Sequence, residues 1–432
     1  MIKNFKIFIV TIGIILITSA IFCCLYLFSA PEPGAKKERF VINLKVSELE
    51  TVEKLYSEGY IKNPMVFKAV LTLRGWRGKI KPGGYLISKS MNNLEIADIL
   101  VNRPYQKWVV IPEGLRKEEI AENLSQRLDW EGSQKDGFLL AAKEGYLFPD
   151  TYLLNLEDTG QEVAKRLFDR FNEAFQEPTQ ELLKQNIRSD TAIKIASLIQ
   201  REAANEKEMP LISGIIWNRL LKPMPLEIDA SLQYALGKTE NWWPVVKKED
   251  YKIDSPYNTY LYKSHPPTPI CNPGLTAIWA VIYPEETDYF YYLHDKNKQI
   301  HCAKTYKEHL ENIKNYILIP AVETFVKNYL DTYSEIEKKE NYDEVKNFLT
   351  EEQLKYIEEN KISFEQDFIR FDNYEISNIA ESKNNPEADY IVQVKLYYKG
   401  EFVKNPKNSE ITEIYVVREN NDFKTPTWHF VP

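Results

Sequence analysis

The residues with the clearest capacity for chemistry lie in "IKIASLIQREAANE", positions 193–206. Read at helical spacing, Ala192, Ile195, Ala196, Ile199 and Ala203 form one apolar stripe, with Lys194, Arg201 and Asn205 opposite. Glu202 belongs to neither side. It stands at the edge of the stripe, one turn beyond Leu198 and Ile199, where a core helix would carry another apolar residue. One reading makes it an ion-pair partner of Arg201 or Arg219 that reaches out to water. The other makes it a general acid. An apolar flank disfavours a charged carboxylate and keeps its proton on near neutral pH, and such a group can protonate a glycosidic oxygen as the bond breaks. Ordinary glycosidases add a second carboxylate. Glu206, Glu227, Asp229 and Asp254 are candidates for it, and their spacing selects none. Glu206 shares the helical face of Glu202 but falls near the helix end.

Other chemistries find less support. His265, His294, His301 and His309 form no HExxH motif, and there is no paired CxxC, GxSxG elbow, P-loop or dinucleotide fingerprint. Neither a metal nor a cofactor is expected. The chain has 432 residues, 44% hydrophobic and 13% aromatic, enough for several cored domains. Its net charge of −8 excludes a nucleic-acid binder, which needs a basic surface. The 27 tyrosines suit polar grooves, where one end of the ring stays wet.

The elements that must position Glu202 follow from the patterning. Residues 7–29 carry no charge, about the ~20 residues that cross a bilayer. Lys3 and Lys6 before them place residues 1–6 in the cytoplasm and the remainder outside. A cleaved signal peptide is the alternative, but the apolar run is longer than such segments carry. Phe22 before Cys23 and Cys24 argues against lipidation, and Cys271 and Cys302 are left open as a disulfide or two thiols. Residues 30–38 read as a stalk and 39–105 as a small α+β unit, with Asn92 or Asn93 capping its last helix. Residues 106–318 read as a mixed helix-and-strand domain, with long helices over 160–186 and 190–205. A helix over 209–221 follows, then an irregular Pro-, Asn- and Tyr-rich region over 226–273. Residues 319–432 read as a separate α+β domain, a helix on antiparallel strands, including "NYEISNIAE", "DYIVQVKLYYKGE", "EITEIYVVREN" and "TWHFV". The fold class is therefore α+β with one N-terminal transmembrane helix.

"IPEG", "EGYLFPDTY", "ASLIQREA", "ISGIIWNRL", "LEIDASLQYALG", "SPYNTY", "PPTPICNPG" and "HCAKTYKEH" occur in that order. Together they closely resemble the membrane-anchored endolytic murein transglycosylases of the YceG-like (MltG) family. The resemblance covers the apolar span, a LysM-like module over 39–105 and the catalytic domain to about residue 318; it does not cover the tail. It implies that Glu202, the second acid of the family's helix motif, is the catalytic acid. It implies a non-hydrolytic cut at the β-1,4 bond between N-acetylmuramic acid and N-acetylglucosamine, leaving 1,6-anhydro ends and terminating new glycan strands. A single carboxylate then suffices, because the attacking C6 hydroxyl is already held within the substrate.

By the same resemblance Asn218, Glu227, Asp229, Tyr257, Asn258, Tyr260 and Asn272 line the glycan groove, although turn, cap and packing roles are open to each. The sequence departs from the family pattern at Gln200, expected to face away from Glu202, and at Glu227, whose charge would raise the pKa of a nearby acid. The partners implied are peptidoglycan strands, the membrane and peptidoglycan synthases. A catalytically inactive scaffold that holds glycan and synthases is the alternative.

Overall fold

The computed structural model describes residues 2–339, 342–360, 373–382, 388–397, 409–419 and 422–425. It divides into two compact units, Met1–Thr287 and Asp288–Pro432. The first opens with helix α1 (Ile2–Phe28). Its window Thr11–Phe28 has a mean hydropathy of 2.4, long and apolar enough to cross a membrane, a property shared by signal sequences.

Next come β1 (Glu38–Ile42), α2 (Glu48–Ser57), α3 (Pro64–Leu73), β2 (Gly83–Ile87) and α4 (Asn93–Asn102). Each helix starts where its sequence supplies a cap. Ser47 and Glu50 form a capping box for α2, Asn63 caps α3 ahead of Pro64, and Asn92 with Glu95 caps α4. Phe40, Leu55, Phe67, Tyr85, Ile96 and Leu100 close a core of their own.

Then follow β3 (Gln106–Val110), α5 (Lys117–Leu128), α6 (Gly132–Ala141) and β4 (Thr151–Asn155). The four strands make one antiparallel sheet in the order β1-β2-β3-β4. The expected junction at 105/106 thus lies inside a continuous sheet. Gly84 pairs with Gln106, and the Trp108 indole donates to the Ile42 carbonyl at 3.0 Å.

The helix expected over 160–186 is two helices, α7 (Gly160–Ala174) and α8 (Gln176–Lys184). Pro178 has no amide hydrogen to give to a continuing helix, so it sits in the first turn of a new one. Beyond them lie α9 (Ser189–Glu202), α10 (Met209–Leu221), α11 (Asp229–Leu236) and α12 (Leu275–Ile282). Helix α9 packs on α8, α10, α11 and α12. Its residues Ala192 to Ile199 are buried apart from Lys194, so it is a central helix rather than a surface one with a single apolar stripe.

The second unit begins with a hairpin, β5 (Tyr291–His294) and β6 (Ile300–Ala303), and helix α13 (Tyr306–Ile313). Helices α14 (Ile319–Lys339) and α15 (Glu351–Asn360) precede an antiparallel sheet. That sheet has the order β10-β9-β8-β7, from β7 (Asn373–Glu381), β8 (Tyr390–Tyr397), β9 (Ser409–Glu419) and β10 (Asp422–Lys424). The first three carry the expected strand sequences and β10 was not foreseen; "TWHFV" lies outside the described residues. Val322, Val326, Tyr329 and Leu330 of α14 share a core with Val392, Val394, Leu396 and Val416 of the sheet.

Candidate active site

Helix α9 ends at Glu202 because Ala203 turns extended, with φ −70° and ψ 131°. Asn205 and Glu208 then organise the following turn: the Asn205 side chain accepts from Lys207 N at 3.0 Å and donates to Glu208 at 2.8 Å. Glu202 is therefore the last residue of a buried helix, half-exposed where the helix leaves the core. Glu206 lies in the short 3-10 turn beyond, on another path of the chain.

The two arginines weighed as partners of Glu202 make the following contacts, among others. The Arg201 guanidinium lies 3.7 Å from the centroid of the Trp243 ring. Arg219 is buried and donates to the carbonyls of Pro225 and Leu226 and to Glu227, the last at 2.8 Å. Glu227, expected to bring an extra charge against the acid, thus has its charge balanced by Arg219.

Tyr260 and Asp229 form a phenol–carboxylate pair. The Tyr260 hydroxyl donates to Asp229 Oδ1 at 2.6 Å, and the Tyr251 ring meets Tyr260 edge-on at 4.6 Å. Burial, the bond to Asp229, and the charges of Asp229 and Glu202 all hold the Tyr260 phenol above its ordinary pKa. The charge of Glu202 is the smallest of these influences, so the acid lies within electrostatic reach of the pair. Asp229 itself is exposed at the first residue of α11, where a carboxylate suits the helix N-terminus. Tyr251 was not singled out in the sequence, since nothing local separates it from its many tyrosine neighbours.

The other expected lining residues divide. Tyr257 is half-buried; its hydroxyl is 2.7 Å from that of Thr268 and its ring packs on Tyr234 at 4.9 Å. Asn218 is half-buried and donates to the Thr287 carbonyl at 2.7 Å. Asn258 and Asn272 have no exposed surface. Asn258 holds its loop, donating to the carbonyls of Tyr251 and Ile253 and accepting from Tyr260 N. Asn272 accepts from Leu147 N and donates to Leu115 O and to Glu144. Their side chains shape the site from beneath rather than form its surface. Asp254 accepts from the Tyr262 hydroxyl on the exposed side of the same loop.

Residues 270–274 run along α9 as a strap. Ile270 N donates to Ser197 Oγ at 3.0 Å, the Cys271 thiol to Ser197 O at 3.3 Å, and Gly274 N to Gln200 Oε1 at 3.0 Å. Gln200, expected to face away from Glu202, is thus bonded to the strap. Cys271 carries a free thiol, which answers the open question of its pairing. Glu113 lies at the same end; burial and the nearby charge of Glu206 push its carboxyl above the usual range. Gly145, in the left-handed region at φ +85°, lets Pro269 pack against backbone where any side chain would collide.

The sequence model of the YceG-like family matches residues 41–315. The chain belongs to the YceG-like family. Among YceG-like relatives, it is 28% identical over 326 residues to the endolytic murein transglycosylase of Bacillus subtilis, a match spanning 68% of this chain and 89% of that one. It is 24% identical to the Streptococcus pneumoniae protein of the same name over 63% of this chain, which amounts to 56% of that relative's length. A solved YceG-like protein from Listeria monocytogenes, 24% identical, aligns with 64% of this chain and 99% of its own at a TM-score of 0.43. The YceG-like match ends at residue 315, so α14, α15 and the sheet β7–β10 lie beyond it.

Proposed function

We propose that this protein is a lytic transglycosylase that cleaves peptidoglycan glycan strands internally, with Glu202 as its acid. The observation that supports the reading is that Glu202 is the last residue of a buried helix, within electrostatic reach of the Tyr260–Asp229 pair. The names of the Bacillus and Streptococcus relatives supply the substrate class.

The chemistry follows from one carboxyl group. Protonated Glu202 gives its proton to the glycosidic oxygen as the bond from muramic C1 breaks. The C6 hydroxyl of the same sugar closes on C1, and the Glu202 carboxylate takes the proton released from that hydroxyl. The enzyme returns to its starting state, one C–O bond is exchanged for another, and no water enters. The internal nucleophile is already held at short range, so no second group is needed to activate it. Asp229, Tyr251, Tyr257 and Tyr260 are the polar and aromatic surface of the cleft, with Asn218 and Glu227 at its border. Helix α1 anchors the chain with residues 1–6 in the cytoplasm, and residues 39–105 act as a LysM-like glycan-holding module.

Mass analysis of purified peptidoglycan digested by the full chain tests the reaction. Products with 1,6-anhydro ends are expected; reducing ends would make the protein a hydrolase, and no cleavage would refute the assignment. Protease added to spheroplasts should leave only a short N-terminal fragment, whereas protection of the whole chain would refute the external placement.

A further inference from the structure

The motif "EGYLFPDTY" begins with a carboxylate that the reaction does not use. Glu144 is only 8% exposed, yet no lysine or arginine makes an ion pair with it among the described residues. Its contacts come from three segments far apart in sequence. From the start of α5, Lys117 N–H lies 3.2 Å and 3.3 Å from its two oxygens. From the strap, Asn272 Nδ2 donates to Oε1 at 2.8 Å. From α11, the Tyr234 hydroxyl stands 3.5 Å from Oε2.

Each of these segments is tied to α9 or to the loops packed beside it. The strap is bonded to Ser197 and Gln200 on the last turns of the helix that carries Glu202. Helix α11 begins with Asp229, and Tyr234 packs on Tyr257. The turn before α5 is tied to the strap by Gly114 N donating to Asn272 O at 2.9 Å. We propose that Glu144 is a positioning residue that clamps the start of α5, the strap and α11 together around the acid-bearing end of α9. This rests on the transglycosylase reading for its effect on rate, but not for its effect on the fold.

The clamp works with the proton on. Burial, and then the charge of Glu118, push the Glu144 carboxyl up to about 8, against the opposing Lys117 N–H bond and the charges of Arg116 and Lys117. The Arg116 guanidinium does not pair with it, because it lies over the Tyr234 ring at 4.0 Å and donates to the carbonyls of Tyr234 and Trp242. From α11 and the strap, the groups that face it are the Tyr234 phenol and the Cys271 thiol, both raised by burial and by the Glu144 charge. A neutral acid keeps Oε1 as the acceptor for Asn272 and leaves Oε2 3.5 Å from the Tyr234 hydroxyl. An anion there would stand in a buried cluster with no balancing cation in contact.

The test is Glu144→Gln in the full chain, which makes the neutral form permanent with nearly the same shape. The folded pKa of about 8 lies above the ordinary value of 4.5, so the native state binds the extra proton between these values. Stability from this group is therefore full below the ordinary value and falls as pH rises to about 8. The melting temperature of Glu144→Gln, relative to wild type, should climb from pH 5 to pH 8 and level off above. The alkaline limb of glycan cleavage should begin near pH 8 in wild type and lie at least one unit higher in the variant. A melting difference independent of pH would overturn the proposal, as would a shared alkaline limb. Should the variant fail to fold, infrared spectra of the wild type decide. A protonated-carboxyl band that persists at pH 7 and fades near pH 8 supports the clamp, and its absence at pH 7 overturns it. A wild type that cleaves no glycan would refute the transglycosylase reading, while the melting comparison would still decide the clamp.

Discussion

The two units bury different kinds of residue. In the second, the shared core of α14 and the sheet is built from Val, Leu, Ile and Tyr, and the buried polar residues among those described are only Thr350 and Thr425. In the first, the region around α9 buries Arg116, Glu144, Arg219, Asn258 and Asn272. Burying polar groups costs free energy unless each is bonded, and a hydrophobic core of equal volume would serve stability as well or better. Their concentration around α9 marks where the chain holds particular loops in particular places, while the core of the second unit is almost wholly apolar.

That contrast can be broken by substitution, ranked by effect on glycan cleavage. Glu202→Gln keeps size and hydrogen bonding but cannot release a proton to a leaving oxygen. Cleavage should fall by ~10²–10⁴ or more, since the group also serves as base, with an unchanged melting temperature. A mutant retaining over a tenth of the wild-type rate in a matched digest would remove Glu202 from the acid role.

Asn272→Ala should cost both stability and cleavage. It strips partners from Leu147 N and Glu144 in a site without water access, worth about 2–4 kcal/mol in a denaturant titration. A loss below about 1 kcal/mol would show that the strap is not held from within.

Glu227→Gln should change cleavage less than two-fold. Arg219 retains the two carbonyls of Pro225 and Leu226, and the Glu227 side chain is 43% exposed, so its ion pair contributes under about 1 kcal/mol. A tenfold change in rate in a kinetic assay would return Glu227 to the chemistry.

Leu396→Ala should remove about 2–5 kcal/mol from the second unit, because the side chain is fully buried, and leave cleavage unaltered. A parallel loss of cleavage would erase the distinction between the units.

Much of this was legible in advance where signals are local. Helix α10 spans the residues its apolar pattern marked, and Asn92, one of the two asparagines expected to cap α4, does so. Glu202 stood out because a charge on an apolar stripe is a local anomaly. Helix α12 escaped because "LTAIWAVI" has no polar face from which to read a period. The strap, Glu144 and Tyr251 escaped for another reason. Their roles arise from contacts across the chain, such as Asn272 with Glu144 and Leu115, 128 and 157 positions apart. No window of sequence contains both partners.

The Cys271 thiol sits on this strap with no exposed surface, its pKa raised by burial and by the Glu144 charge, donating to Ser197 O. A thiol held neutral and covered reacts with alkylating reagents only when its cover lifts. The chain therefore carries a built-in clock: the rate at which a small maleimide labels Cys271 counts how often the strap peels from α9, and substrate in the cleft should slow that count.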